Sequence, residues 1–354
     1  MKNNYFFIFA PISSGSTFFT KITNSFTNSI GISDALFEYF KFLIQKNNNK
    51  DVTDKTLIES CYFSNNLENY FINCENINFQ RKTNKKELRL ITKRIIENSY
   101  LSPEFSKKLK SLSGKTYKDV FFELIKKLKK IYATKQTKNI FLKHAWIEDI
   151  STSLIKNFSN TRFIFLIRDP RDAILSQYKK NVFDILMLAR HHRKHLAYAI
   201  FLKKKYKNKV KIIRYEDLVI KKKKTLDELS KFINEKPAID KISKIKWKSK
   251  AVYRWKSKGS KNLKLIKLIT YLLNLELKYF GYEKKIKKKD IGEFKNLFKD
   301  YFKKIQNKYN LKLELKNEIS RYKIIHNKNT LSKKLIKKNF LFLDVYNVLK
   351  KNKI

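Results

Sequence analysis

Phe163-Ile164-Phe165-Leu166-Ile167-Arg168-Asp169-Pro170-Arg171-Asp172-Ala173-Ile174-Leu175-Ser176-Gln177-Tyr178 sets an apolar run against a charged turn and a helical restart. The run Arg162–Ile167 lacks the polar alternation of a half-exposed strand, so it reads as a strand buried on both faces. Arg168 then stands at the strand's carboxyl end, where ligands of open α/β sheets bind. Pro170 ends the strand and fixes the turn, and Asp172 is placed to cap a helix near 172–181. Ser176, a turn along that helix, can point its hydroxyl at the Arg168 guanidinium, and the two together make an anion site.

Working outward, the first 30 residues give a second anion site. Tyr5–Ala10 is a buried strand, Ser13-Ser14-Gly15-Ser16-Thr17 a turn, and Phe18–Ser29 can continue as a helix. Gly15 permits the tight turn, while consecutive N–H groups and the helix N-terminus attract an anion. The hydroxyls of Ser14, Ser16 and Thr17 add donors. The spacing G-x-x-x-x-G-K-[ST] is absent, which disfavours a nucleoside-triphosphate hydrolase or kinase. Further strands at Ile140–Leu142 and Val210–Arg214 alternate with helices at about 147–157, 183–206, 225–234 and 261–279. Strands alternating with helices imply an α/β fold, a P-loop-like central parallel β-sheet flanked by helices. Residues 45–55 read as a polar loop and the chain to about 138 as a largely helical insertion, Phe121–Ile131 being its clearest amphipathic segment.

Composition narrows the partners less than it first suggests. The 354 residues carry 81 Lys+Arg against 31 Asp+Glu, a net charge of +50, yet 42% are hydrophobic, enough for a large core. Of the basic residues 70 are Lys and 11 Arg, whereas readers of base edges favour the arginine fork. No specific nucleic-acid partner is expected. Residues 285–354 hold 21 basic and 6 acidic residues with apolar spacing at Phe294, Leu297, Phe298, Tyr301 and Phe302, and read as a Lys-rich helical C-terminal extension beyond a domain over 1–284. Two cysteines, Cys61 and Cys74, cannot build a disulfide framework. No stretch approaches the ~18 apolar residues of a membrane span, and Tyr5–Pro11 reads as a strand rather than a signal peptide. The expected location is cytoplasmic.

Two phosphate sites on strand ends suit a nucleotide phosphorylated at its 3′ and 5′ positions. With Arg214-Tyr215-Glu216-Asp217-Leu218, Tyr253-Arg254-Trp255-Lys256 and Phe280-Gly281-Tyr282, the sequence resembles the sulfotransferases that use 3′-phosphoadenosine 5′-phosphosulfate (PAPS), over residues 5–283. The resemblance implies PAPS as co-substrate, no metal, and a hydroxyl (or amine) acceptor such as a carbohydrate or small molecule. It implies that Ser14, Gly15, Ser16 and Thr17 hold the 5′-phosphosulfate. Arg168 and Ser176 would hold the 3′-phosphate, with Arg254 or Lys258 reaching it from the C-terminal loop. Phe18 and Tyr215 would flank the adenine. One position departs from the family. Where its members commonly carry Lys or Arg before the Ser-Gly pair, this chain has Ser13; Lys21 and Lys143 are the candidate replacements.

Sulfuryl transfer also needs a base within hydrogen-bond reach of the acceptor hydroxyl. The resemblance offers Glu38, placed as in glycan-modifying members, and His144, close to the Lys-Thr-His of small-molecule members but directly after Lys143. His191, His192 and His195 include an i, i+4 pair, yet no HExxH glutamate or third ligand accompanies them, so no metal site is assigned. The pairs Asp169/Asp172 and Glu216/Asp217 read as capping and ion-pairing groups for Arg168, Arg171 and Arg214. The rival reading is a catalytically impaired member of the fold that binds nucleic acid or an anionic membrane surface, favoured by Ser13 and the Lys-rich tail.

Overall fold

A computed structural model describes residues 3–52, 67–99, 102–178, 184–247, 251–257, 262–282, 291–302 and 311–326. Its strands are β1 (Asn4–Phe9), β2 (Ser29–Ser33), β3 (Asn139–His144), β4 (Thr161–Ile167) and β5 (Val210–Arg214). They form one sheet in the order β2-β3-β1-β4-β5, and every neighbouring pair is parallel. The register sets Phe9 opposite both His144 and Phe165, so the ends of β1, β3 and β4 open on the same edge.

Helices cover both faces. After β1 comes α1 (Ser16–Thr23); after β2 come α2 (Phe37–Asn47), α3 (Leu67–Glu75), α4 (Lys85–Asn98), α5 (Pro103–Lys108) and α6 (Tyr117–Tyr132). Helix α7 (Ser151–Asn157) leads into β4, and α8 (Pro170–Tyr178) with α9 (Ile185–Lys205) leads into β5. Beyond it lie α10 (Tyr215–Ile220), α11 (Lys222–Ile233), α12 (Ile239–Ser243), α13 (Arg254–Ser257), α14 (Leu263–Leu272), α15 (Asn274–Tyr279), α16 (Ile291–Phe302) and α17 (Leu311–His326). In the insertion, capping boxes at Asn84/Glu87 and Thr116/Asp119 start α4 and α6, satisfying N–H groups that a helix end leaves free.

The strand alternation divides the core. Phe6 and Ile8 pack with Phe19 and Ile22 of α1 and Leu229 of α11, whereas Phe7 and Phe9 pack with Phe40, Phe163 and Phe165 on the opposite face. Both faces being covered explains why β1 and β4 are unbroken apolar runs.

Two expectations are corrected. The helix expected over Phe18–Ser29 stops at Thr23, and the chain then forms β2 at the sheet edge. Gly31 makes this possible: a Cβ there would lie 2.3 Å from Thr23 Oγ1 and 2.8 Å from Thr20 Cγ2, so only glycine lets β2 pack on α1. The C-terminal helices are also packed rather than peripheral. Phe294, Leu297 and Phe298 are buried with Leu268, Tyr271 and Leu272 of α14. The buried Glu318 of α17 takes both Nη1 (2.9 Å) and Nη2 (2.7 Å) of Arg193, while Arg321 pairs with Glu276. Acidic side chains of this basic segment thus neutralise arginines of α9.

Candidate functional site

The loop after β1 is shaped by two left-handed residues, Ser13 (φ 63°) and Gly15 (φ 87°), on either side of Ser14. Ser14 N–H donates to the Pro11 carbonyl at 3.1 Å, closing the turn ahead of α1. A Cβ on Gly15 would sit 2.4 Å from Cδ2 and Cε2 of Tyr215, so the αL backbone and the ring at its side both require glycine. Ser14 is fully buried and its Oγ has no protein partner. A buried hydroxyl without a partner beside a helix N-terminus fits an anionic oxygen. Ser16 and Thr17 open α1, with Thr17 exposed.

Arg168 follows β4 and turns toward this loop. Its Nη1 donates to the Ser13 carbonyl at 2.8 Å and its Nη2 to the Ala251 carbonyl at 2.5 Å. The guanidinium lies 4.9 Å from the Tyr215 ring centroid and 3.7 Å from Asp172 Oδ2. Gln177 Nε2 reaches Ser13 Oγ at 2.5 Å, which shows that α8 faces the loop; Ser176 is its half-buried neighbour. Arg254, on α13, lies close enough to favour the ionised forms of Asp172 and Tyr215. Lys258 lies outside the described residues.

The carboxylates around this element are scaffolding. Asp169, rather than Asp172, caps α8: its Oδ1 accepts from Arg171 N–H at 3.0 Å, and it also binds Arg171 Nη2 (2.7 Å) and Trp255 Nε1 (2.9 Å). Asp172 accepts the Trp255 N–H at 2.9 Å; burial raises its pKa while Arg168 pulls it down. Glu216 accepts from Asp169 N–H (2.9 Å) and Tyr282 Oη (2.6 Å), and burial raises its pKa against those donors. Asp217 lies 3.7 Å from Arg214. The Tyr-Glu pair after β5 and Tyr282 therefore lock the R-D-P-R-D turn against β5.

Phe18 meets two rings edge-on, Tyr215 at 6.2 Å and Trp247 at 5.4 Å between centroids. Trp247 escaped the sequence reading; only its aromatic character within a Lys-rich stretch signalled it. Thr17, Phe18 and Lys21 line a cleft of about 440 Å³ with Lys241, Lys244, Ile245 and Lys246. Lys21 is exposed on this outer side of α1.

On the other half of the edge, the candidates are tied up in pairs. Glu38 is buried on α2, and its Oε2 is held by Arg94 Nε and Nη2, both at 2.8 Å. Arg94 also donates to Gln45 Oε1 (2.8 Å) and the Val52 carbonyl (2.7 Å). Lys143 ion-pairs with Asp34 Oδ2 at 2.5 Å. His144 is fully buried between Phe7 and Phe40, without a hydrogen bond to either ring nitrogen; burial, then the Lys143 ammonium, hold its pKa well below the ordinary range. Asp34, missed in sequence, follows β2 with φ 56° and 17% side-chain exposure. Its Oδ1 has no hydrogen-bond partner and lies 3.8 Å from His144 Nδ1.

The histidines of α9 are core groups. His191 stacks on Trp146 at 3.7 Å between centroids and faces Glu148 at 3.4 Å; His195 packs on Phe165. Among the described residues, no three His, Cys, Asp or Glu side chains are grouped to hold a metal ion, and no helix is long and apolar enough to cross a membrane.

The structure thus ties the glycine-containing loop after β1 to the arginine that follows the adjacent strand β4. Residues 6–236 match the model of the sulfotransferase family. The chain belongs to that family. No curated protein matches it in sequence. Among solved structures, this sulfotransferase-family chain is similar to the sulfotransferase domain of the Synechococcus PCC 7002 olefin synthase, with 14% identity over 80% of this chain and 98% of that one and a TM-score of 0.47. It is also similar to the sulfotransferase domain of the curacin biosynthetic pathway (15% identity, 77% and 98% covered, TM-score 0.40). A third likeness is sulfotransferase STF9 of Mycobacterium avium (10% identity, 79% and 77% covered, TM-score 0.39).

Proposed function

We propose that this sulfotransferase-family protein binds PAPS and transfers its sulfuryl group to a hydroxyl or amine acceptor. The observation that carries the reading is the bond from Arg168 Nη1 to the Ser13 carbonyl, which ties one anion site to the other. In this reading Ser14 Oγ and the N–H groups of Gly15, Ser16 and Thr17 hold the 5′-phosphosulfate, with α1's N-terminus facing the charge that develops on the leaving phosphate. Arg168, Ser176 and Arg254 bind the 3′-phosphate. Phe18, Trp247 and Tyr215 contact the adenine, the two side rings meeting Phe18 edge-on.

Asp34 is the base this geometry favours. Its Oδ1, though closed to solvent, has no hydrogen-bond partner and its side chain is 17% exposed, whereas Glu38 is enclosed with Arg94 and His144 is fully buried. The acceptor oxygen attacks sulfur, the bond from sulfur to the 5′-phosphate oxygen breaks, and the acceptor proton passes to Asp34. Lys143, already at Asp34 Oδ2, holds the carboxylate in place. Glu38 then acts through α2's position, by anchoring Arg94.

Ser13 sustains the second reading, an impaired enzyme that retains donor binding. Its Oγ is engaged by Gln177, Lys21 lies on the outer cleft and Lys143 is held by Asp34, so each candidate cation is directed elsewhere. Calorimetry tests the nucleotide reading: adenosine 3′,5′-bisphosphate should bind at least tenfold tighter than AMP, roughly the worth of one charge-assisted contact. Equal affinities would remove the 3′-phosphate site and the proposal with it.

A further inference from the structure

Helix α4 has two distinct working faces. Its inner face buries Ile91, Arg94 and Ile95, with Arg94 gripping Glu38 behind the acceptor side of the sheet edge. Its outer face forms one wall of an open groove of about 480 Å³, closed on the far side by Lys110–Leu112. Leu88, Ile96 and Leu112 make the floor, and Ile96 is 43% exposed. Lys85, Arg89, Lys93 and Lys110 form the rim. Among the described residues the lining's single acid is Glu97, ion-paired with Lys93 at 3.8 Å, so the rim keeps a positive excess.

We propose that this groove docks an acidic amphipathic helix of a partner protein. Leu88 and Ile96 lie two turns apart on α4 and match apolar side chains spaced i, i+3 or i+4, and i+7 on a facing helix. Lys85, Arg89 and Lys93, one per turn, and Lys110 on the other wall meet carboxylates flanking that stripe. A nucleic acid would use the rim and leave the apolar floor exposed. A flat anionic bilayer would not reach the floor between the two walls. Charge complementarity combined with an apolar seam therefore selects a helix. Since α4 carries Arg94 on its reverse side, the partner binds directly behind the Glu38–Arg94 pair and so beside the acceptor half of the edge.

The net charge of +50 will attract any polyanion, so the test must separate seam from charge. The probe is a fluorescein-labelled, Ala/Glu-rich helical peptide with Leu at i, i+4 and i+7, compared by anisotropy with a scrambled peptide of the same composition. Both are titrated with the full chain at ~0.15 M salt, where screening acts beyond ~8 Å. The patterned peptide should bind about tenfold tighter than the scramble, a difference typical of a few seated side chains. The triple variant Lys85→Glu, Arg89→Glu, Lys93→Glu should abolish that binding. An equal charge change at the exposed Lys126, Lys130 and Lys224 should leave it within about twofold. Ile96→Ser, a surface change that leaves folding intact, should erase the preference for the patterned peptide. Equal binding of the two peptides, equal losses in the two triple variants, or tighter binding of an anionic vesicle or a random oligonucleotide would each overturn the proposal.

Discussion

The two halves of the sheet's carboxyl edge, donor and acceptor sides in the proposed reading, hold their candidate site residues differently. On the proposed donor half, around β1, β4 and β5, Arg171 pairs with Asp169 and Arg214 with Asp217, while the strand-end groups Arg168 and Glu216 form their hydrogen bonds with neutral partners. Arg168 rests on two carbonyls, and Glu216 on a phenol and a peptide N–H. In the proposed reading the Arg168 guanidinium and the loop N–H groups meet the donor's phosphates. On the acceptor half, around β2, β3, α2 and α4, charges cancel in pairs: Glu38 with Arg94, Asp34 with Lys143, Asp149 with Lys194. A site preorganised for a fixed dianion needs an unneutralised field, whereas a site for a neutral hydroxyl needs a base and little else. In the proposed reading the edge holds its donor by charge and its acceptor by shape.

The largest effect should come from Asp34, the carboxylate proposed as the base, whose Oδ1 has no hydrogen-bond partner. Asp34→Asn should lower kcat by about 10²–10⁴-fold, the usual worth of a general base, with donor binding kept. Glu38→Gln should cost far less in turnover; the reverse ranking would return the base to Glu38. Next in size is a test of how the acceptor half tolerates buried charge. Glu75 on α3 is almost fully buried, and burial pushes its pKa to about 7 against the Thr152 hydroxyl and nearby lysines. Its folded pKa exceeds the ordinary 4.5, so the ionised form is penalised in the folded state. The penalty is absent below pH 4.5, grows up to pH 7 and is constant above it. Glu75→Gln should therefore stabilise the protein by about 3 kcal/mol at pH 8 and leave it unchanged at pH 4, as read by denaturant unfolding. Slightly smaller, Arg168→Ala should weaken adenosine 3′,5′-bisphosphate about 100-fold by calorimetry, the loss of a charge-assisted pair of contacts. A loss below threefold would mean that the donor half does not rely on that charge.

The same contrast explains what was legible in the sequence. β1, β4 and β5 are short apolar runs closed by turn residues, and the donor groups lie within a few residues of their ends, so strand, turn and chemistry read together. β2 did not read, because Ser29-Ile30-Gly31-Ile32-Ser33 is an edge strand whose glycine is required by contact with α1 rather than by any local pattern. The acceptor half was opaque for a related reason. Glu38 meets Arg94 across 56 positions and Lys143 meets Asp34 across 109, and no local spacing reports such pairs. The C-terminal segment misled through its lysines: its few acids, Glu314 and Glu318, face Arg190 and Arg193 inside the fold.

The smallest expected effect probes the one place where the donor half departs from its own logic. In the proposed reading Ser13 stands at the loop position where a cation would meet the departing phosphate, yet it presents a hydroxyl that accepts from Gln177. Its backbone is left-handed at φ 63°, held by Ser13's own carbonyl at Arg168, so a longer side chain must keep that turn while leaving Gln177 behind. Ser13→Lys should raise kcat about tenfold if developing charge on the leaving group is under-neutralised, since one added cation contributes on the order of 1–2 kcal/mol in a partly solvated site. Donor affinity should change less than kcat, because the charge it meets is larger in the transition state than in the bound donor. An unchanged kcat would place the neutralising charge elsewhere in the loop, with α1's N-terminus sufficient by itself. A rise in affinity without a rise in kcat would show that the added charge meets donor and transition state alike, and that turnover is limited on the acceptor half.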